Sequence, residues 1–169
     1  MALTLEQYLG NKIDNLSGEW VRKNCNYESD ICRILGMNKE TVRYWDATWD
    51  NLYIEFKKGR SIWLDLVRYS EVLMRINEDA SKKTISLFFI HNVDKDKDRH
   101  RTKIVKIIAV DTSKIIGKLN LDNEQAIALT ELHKKLRENS KKTLNAQVSM
   151  TVKQIEEIAD FIVEKTAAQ

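Results

Sequence analysis

The chain has 169 residues, 43% of them hydrophobic, with no proline and five glycines, which is enough apolar material for one packed domain and excludes a disordered chain. Lys+Arg number 28 against 25 Asp+Glu, so the net charge of +3 is too small to identify a nucleic-acid binder by itself. No apolar run approaches membrane-spanning length and the Met-Ala-Leu-Thr-Leu-Glu start has no signal-peptide pattern, so the expectation is a soluble cytoplasmic protein.

Thr4-Leu5-Glu6-Gln7 has the spacing of a capping box and opens a helix whose stripe is Leu5, Leu9, Ile13 and Leu16. A second helix is predicted from Tyr27 to Leu35, ending at Gly36, with Tyr27, Ile31, Ile34 and Leu35 facing the core and Glu28 at the edge of that stripe. Cys25 and Cys32 match neither CxxC nor a disulfide framework and read as incidental thiols.

Residues 46–57, DATWDNLYIEFK, are the most informative stretch. Asp50-Asn51 is a two-residue turn signal between strand formers, with Val42, Tyr44, Trp45 and Trp49 before it and Leu52, Tyr53, Ile54 and Phe56 after. The implied register sets Trp49 against Leu52, Thr48 against Tyr53, Ala47 against Ile54 and Asp46 against Glu55. Alternation puts Lys57 on the Glu55 face and Lys58 on the other. Two neighbouring carboxylates repel unless a cation lies between them, and hard oxygen ligands suit Mg²⁺ or Mn²⁺ better than zinc. The same pattern also describes a surface hairpin with a solvated lysine.

Asp46-Ala47, then Glu55-Phe56-Lys57 after an eight-residue spacer, resembles the PD-(D/E)XK nuclease superfamily, with Trp45 where the usual proline stands. The resemblance implies a restriction endonuclease-like fold and an order of helix, hairpin, helix, strand, strand. It implies Asp46, Glu55 and the Phe56 carbonyl as metal ligands for Mg²⁺, with Mn²⁺ as a substitute, and Lys57 beside the attacking water. Glu28 is the candidate for the acidic residue such proteins often carry on the preceding helix, with Asp30 and Glu19 behind it; Glu28 equally fits a solvent-facing glutamate.

Beyond the motif, Ser61 is a plausible N-cap for a helix with stripe Ile62, Leu66, Tyr69, Leu73 and Ile76, and Thr84 to Ile90 reads as a central strand buried on both faces. Asp94 to Arg101 is a charged connection, Thr102 to Val110 the next strand, and Lys114 to Leu119 a short helix. Glu124–Glu138, with Ile127, Leu129, Leu132 and Leu136, and Thr151–Glu164, with Val152, Ile155, Ile158, Ala159 and Ile162, read as amphipathic helices for packing or dimerisation. The fold class is therefore α/β (α+β), a central mixed sheet flanked by helices with a helical C-terminal third. The single domain divides into N-terminal helices (1–40), a catalytic core (41–120) and a helical segment (121–169).

Basic residues border the acids. Lys58, Arg60, Arg99, His100 and Arg101 are candidate DNA contacts, and each equally fits a solvated face. His91, His100 and His133 are too scattered for a zinc site, and His91 reads as a satisfied strand-end histidine. The expected function is a Mg²⁺-dependent endonuclease on double-stranded DNA, of the type II restriction kind and homodimeric, since duplex cleavage at a palindrome needs two sites on a two-fold axis. A junction resolvase or repair nuclease, or a non-catalytic DNA-binding module, are the alternatives.

Overall fold

The structure, a computed structural model, describes residues 2–42, 44–59, 61–92, 99–140 and 144–166. Helix α1 (Leu5–Gly18) starts at the Thr4 capping box, in which Thr4 and Gln7 satisfy each other's backbone N–H, and it buries Leu5, Leu9, Ile13 and Leu16. Strand β1 (Val21–Arg22) leads to α2 (Tyr27–Leu35). That helix stops at Gly36, whose φ of 67° is left-handed and whose missing Cβ would sit 2.8 Å from the Tyr8 hydroxyl.

Strands β2 (Asn38–Lys39), β3 (Ala47–Trp49) and β4 (Leu52–Lys58) follow, then β5 (Ser61–Asp65) and α3 (Leu66–Glu78). Next come β6 (Lys83–His91), β7 (Arg101–Thr102), β8 (Ile104–Asp111) and α4 (Thr112–Lys118). The chain closes with α5 (Asn123–Ser140), β9 (Gln147–Thr151), α6 (Val152–Glu157) and β10 (Phe161–Glu164).

Six strands form the central mixed sheet in the order β10-β8-β6-β4-β3-β2. β4 and β6 are parallel and the other neighbours antiparallel. β6 lies inside the sheet, as its unbroken apolar run requires, with Leu87, Phe88 and Phe89 all buried. One face carries Ile54, Phe56, Leu87, Phe89, Ile107 and Ala109 and is covered by α1 and α2. The other carries Phe88, Ile108 and Val110 and packs against Tyr69 of α3, Ile115 of α4 and Ile155 of α6. This is the expected α+β class.

Several expected boundaries move. Val42, Tyr44 and Trp45 lie outside β3; Trp45 turns inward, stacks at 4.2 Å on Tyr53 and donates its indole N–H to Thr84 Oγ1. Residues 61–65 form a strand, not a first helical turn. Ile62 and Leu64 are buried while Trp63 between them is 56% exposed, and β9 supplies the partner. The α3 cap is accordingly Asp65, whose carboxylate accepts the Val67 and Arg68 N–H groups.

The helix expected over Thr151–Glu164 stops at Glu157, and Phe161–Glu164 joins the sheet edge against β8. Phe161 and Val163 pack inward and Ile162 faces out, the alternation of a strand. On α5 the buried residues are Ala126 and His133, while Ile127 and Leu132 are each 46% exposed.

Candidate active site

The β3–β4 turn places Asp50 at a φ of 53°, and the register is Trp49↔Leu52, Thr48↔Tyr53 and Ala47↔Ile54. The ladder ends there, so Asp46 does not form the expected pair directly opposite Glu55. Trp45 pulls the chain off the sheet, and the Asp46 N–H donates to Ile54 O at 2.9 Å. The Asp46 carboxylate then wraps round the exposed edge of β4 and accepts the Phe56 N–H at 2.7 Å. A strand residue sends its N–H and C=O to the same side, so the Phe56 carbonyl leaves toward this edge too.

Glu55 and Lys57 share the α3 face, as alternation requires, with Lys57 Nζ 3.1 Å from Glu55 Oε1. The Glu55 side chain is fully buried and that of Lys57 is 18% exposed. Lys58 points the other way: its ammonium donates to Lys23 O at 2.7 Å and lies 4.5 Å from the centre of the Tyr27 ring. Beneath Lys57 is Tyr69 of α3, its ring centre 5.6 Å from Nζ. Ser86 is the β6 residue in register with Glu55, and its hydroxyl is 2.9 Å from that of Thr112.

The electrostatics single out this spot. Burial pushes the Asp46 carboxyl up to about 6, and the charges of Glu55 and Glu28 push the same way, against the Phe56 N–H and the positive charge of Arg68. Burial, then the nearby Glu55 charge, raises the Tyr69 phenol well above its usual range. Among the described residues, the buried side-chain polar atoms without a hydrogen-bond partner are Glu55 Oε1 and Oε2, Arg68 Nε and Tyr69 Oη. Each such atom costs about 1–3 kcal/mol. Native interiors pair nearly all of theirs, so orphans gathered on neighbouring residues mark a place organised for something other than stability.

Asp46, Glu55 and the Phe56 carbonyl are hard oxygen donors. They fit Mg²⁺, which keeps several of its waters and needs one or two carboxylates from the protein. No three His, Cys, Asp or Glu side chains come together as a metal cage among the described residues. Glu28 is half-buried on α2 and acts on Asp46 through its charge, so it is not brought into a ligand set with Asp46 and Glu55. Cys32 is buried and its thiol is pushed up to about 11, chiefly by burial, so it stays protonated. His91 meets the Tyr27 hydroxyl at 3.1 Å, the satisfied strand-end histidine expected.

Of the candidate DNA contacts, Arg99, His100 and Arg101 are exposed, and Arg60 lies outside the described residues, as do residues 94–98 of the charged connection. The Lys23 N–H donates to His100 O at 2.7 Å while Lys23 O holds Lys58, which ties the end of β4 to the connection before β7. Arg101 and Lys103 lie 5.2 and 4.9 Å from the ring centre of Trp20, itself 41% exposed. A basic and aromatic surface thus runs from Lys58 to Lys103.

Sequence reasoning missed Arg68 as a neighbour of the acids and read Tyr69 only as core. Starting the helix at Ser61 hid the fact that its true first turn faces Glu55. The chain matches no family model, no curated protein and no solved structure. None of the described helices is long and apolar enough to cross a membrane.

Proposed function

We propose that the chain is a Mg²⁺-dependent endonuclease that hydrolyses phosphodiester bonds in double-stranded DNA, working in the cytoplasm as a homodimer of the type II restriction kind. The observation that carries this reading is the fully buried Glu55 carboxylate, which has the Lys57 ammonium 3.1 Å from Oε1, is left without a well-formed hydrogen bond and lies within the electrostatic reach of Asp46. Two buried carboxylates side by side favour either a cation between them or a proton on one of them, and above the raised Asp46 value a cation is what offsets the pair.

Asp46, Glu55 and the Phe56 carbonyl would hold Mg²⁺, which when bound polarises the phosphate and stabilises the leaving oxygen. Asp46 is fixed for this by the Phe56 N–H, which keeps one of its oxygens on the β4 edge. Lys57 is held by Glu55 and presents its remaining ammonium hydrogens to an attacking water or to a phosphate oxygen. Water forms a new bond to phosphorus as the bond to the leaving sugar oxygen breaks. The exposed Arg99, His100 and Arg101, with Lys58 behind them, would line the path of the duplex.

The test is incubation of plasmid and phage DNA with the protein in Mg²⁺ and in EDTA. Discrete fragments in Mg²⁺ alone are expected. Cutting confined to four-way junctions would replace the restriction assignment with a resolvase, and DNA retention without any Mg²⁺-dependent cutting would contradict the enzymatic reading.

A further inference from the structure

Arg68 and Tyr69 are adjacent in the first turn of α3, and Arg68 leaves its buried Nε–H without an acceptor. Beside them, the Glu55 carboxylate has the Lys57 ammonium 3.1 Å from Oε1 and makes no well-formed hydrogen bond. A cation alone would satisfy the Glu55 oxygens and leave Arg68 Nε as it is. Tyr69 Oη has Glu55 and Ser86 beside it, so Arg68 Nε is the donor that calls for an acceptor oxygen arriving together with the cation, and a phosphate group has that chemistry.

Arg68 is suited to it. Among the described residues its side chain closes no ion pair or hydrogen bond, although its charge reaches both Asp46 and Tyr69. Lys57, the other cation here, is already committed to Glu55 at 3.1 Å. A guanidinium is permanently charged and offers its N–H groups in a planar fork that matches two phosphate oxygens. We infer that Arg68 holds a non-bridging oxygen of the DNA phosphate at the acid pair, making it a substrate-binding residue of the site; this rests on the endonuclease reading above.

The test uses the full chain with Arg68→Met, which removes the guanidinium, and Arg68→Lys, which keeps the charge and loses the fork. Binding of a fluorescein-labelled duplex is followed by anisotropy across a salt series in Ca²⁺, which takes oxygen ligands without the strict octahedral geometry of Mg²⁺. Single-turnover cleavage is followed in Mg²⁺. The Met variant should bind about tenfold more weakly at low salt, with the slope of log affinity against log salt shallower by about one. The Lys variant should keep the slope, and both should cut roughly 10²-fold more slowly.

A Met variant with the wild-type slope and rate would overturn the inference and leave the endonuclease reading standing. Wild-type protein that binds DNA and cuts nothing would overturn the endonuclease reading alone, while a unit of slope lost in Arg68→Met would still support the phosphate contact. Should the Met variant melt early, the split between slope and rate in Arg68→Lys carries the test. A Lys variant that cuts at the wild-type rate then overturns the inference.

Discussion

Lys57 Nζ lies 3.1 Å from Oε1 of Glu55, a carboxylate with no exposed surface, and the neighbouring Lys58 points to the opposite face of the same strand and binds Lys23 O. One β-strand thus sends two adjacent lysines to two different tasks. Lys57→Met takes the cation away from a buried carboxylate, so the variant should melt earlier than the wild type, while at a temperature where it stays folded it should bind DNA and show a chemical step slowed by about 10²–10⁴-fold, the range for a positioned acid–base group. Lys58→Met should cost about 0.5–1 kcal/mol through its lost ring contact and change the chemical step little. Equal losses of rate from the two substitutions, read in single-turnover cleavage, would contradict the division.

Asp46 should govern the pH dependence of stability. Its carboxyl is raised to about 6 in the fold from an ordinary value of 3.8, so its protonated form is the one folding favours. That stability is fully present below the unfolded value and is lost as pH rises through about 6. Asp46→Asn keeps an acceptor for the Phe56 N–H and removes the charge. Thermal melts from about pH 4 to about pH 8 should show the wild type losing stability relative to the variant across this window. Parallel curves would place the titration elsewhere.

Mg²⁺ should reverse that loss. A ligand bound only by the folded protein stabilises it by RT ln(1 + [L]/Kd), about 2.7 kcal/mol at a hundredfold excess over Kd. Millimolar Mg²⁺ should therefore raise the melting temperature of the wild type at neutral pH and leave Asp46→Asn and Glu55→Gln unmoved. An equal rise in all three would mean that the ion binds away from this pair.

Tyr69→Phe deletes a buried hydroxyl that makes no well-formed hydrogen bond, with Glu55 and Ser86 as its polar neighbours. Its removal gives up only poorly aligned contacts with Glu55 and Ser86 and relieves a desolvated polar group, so the variant should melt at about the same temperature as the wild type or higher. A clear drop in calorimetry would show a bond that Tyr69 makes in solution.

Neutralising Arg99 and Arg101 to Gln should weaken DNA binding and make its salt dependence shallower, because each lost phosphate contact releases fewer counterions. An unchanged slope would remove the β7 connection from the DNA path.

Much of this site is legible in the sequence. The bounds of α2 follow from its apolar stripe and from Gly36, and the hairpin register follows from a two-residue loop, which leaves no slack between Trp49 and Leu52. The place of Asp46 was not legible to the same degree. It depends on Trp45 burying itself against Tyr53 and Thr84, a packing choice made across strands distant in sequence. β5 was missed because Ile62 and Leu66 fit a helical stripe as well as a strand, and only β9, far along the chain, decides between them. With that boundary went Arg68, whose approach to the acids exists only once α3 starts at Leu66.

The central claim is that the Glu55 carboxylate serves a metal-dependent cut in DNA. Its most direct measurement is cleavage of phage DNA by the wild type and by Glu55→Gln, side by side in Mg²⁺ and in EDTA. The account predicts discrete fragments from the wild type in Mg²⁺ only and none from the variant under either condition. Fragments from Glu55→Gln at the wild-type rate, or wild-type cutting that survives EDTA, would contradict it.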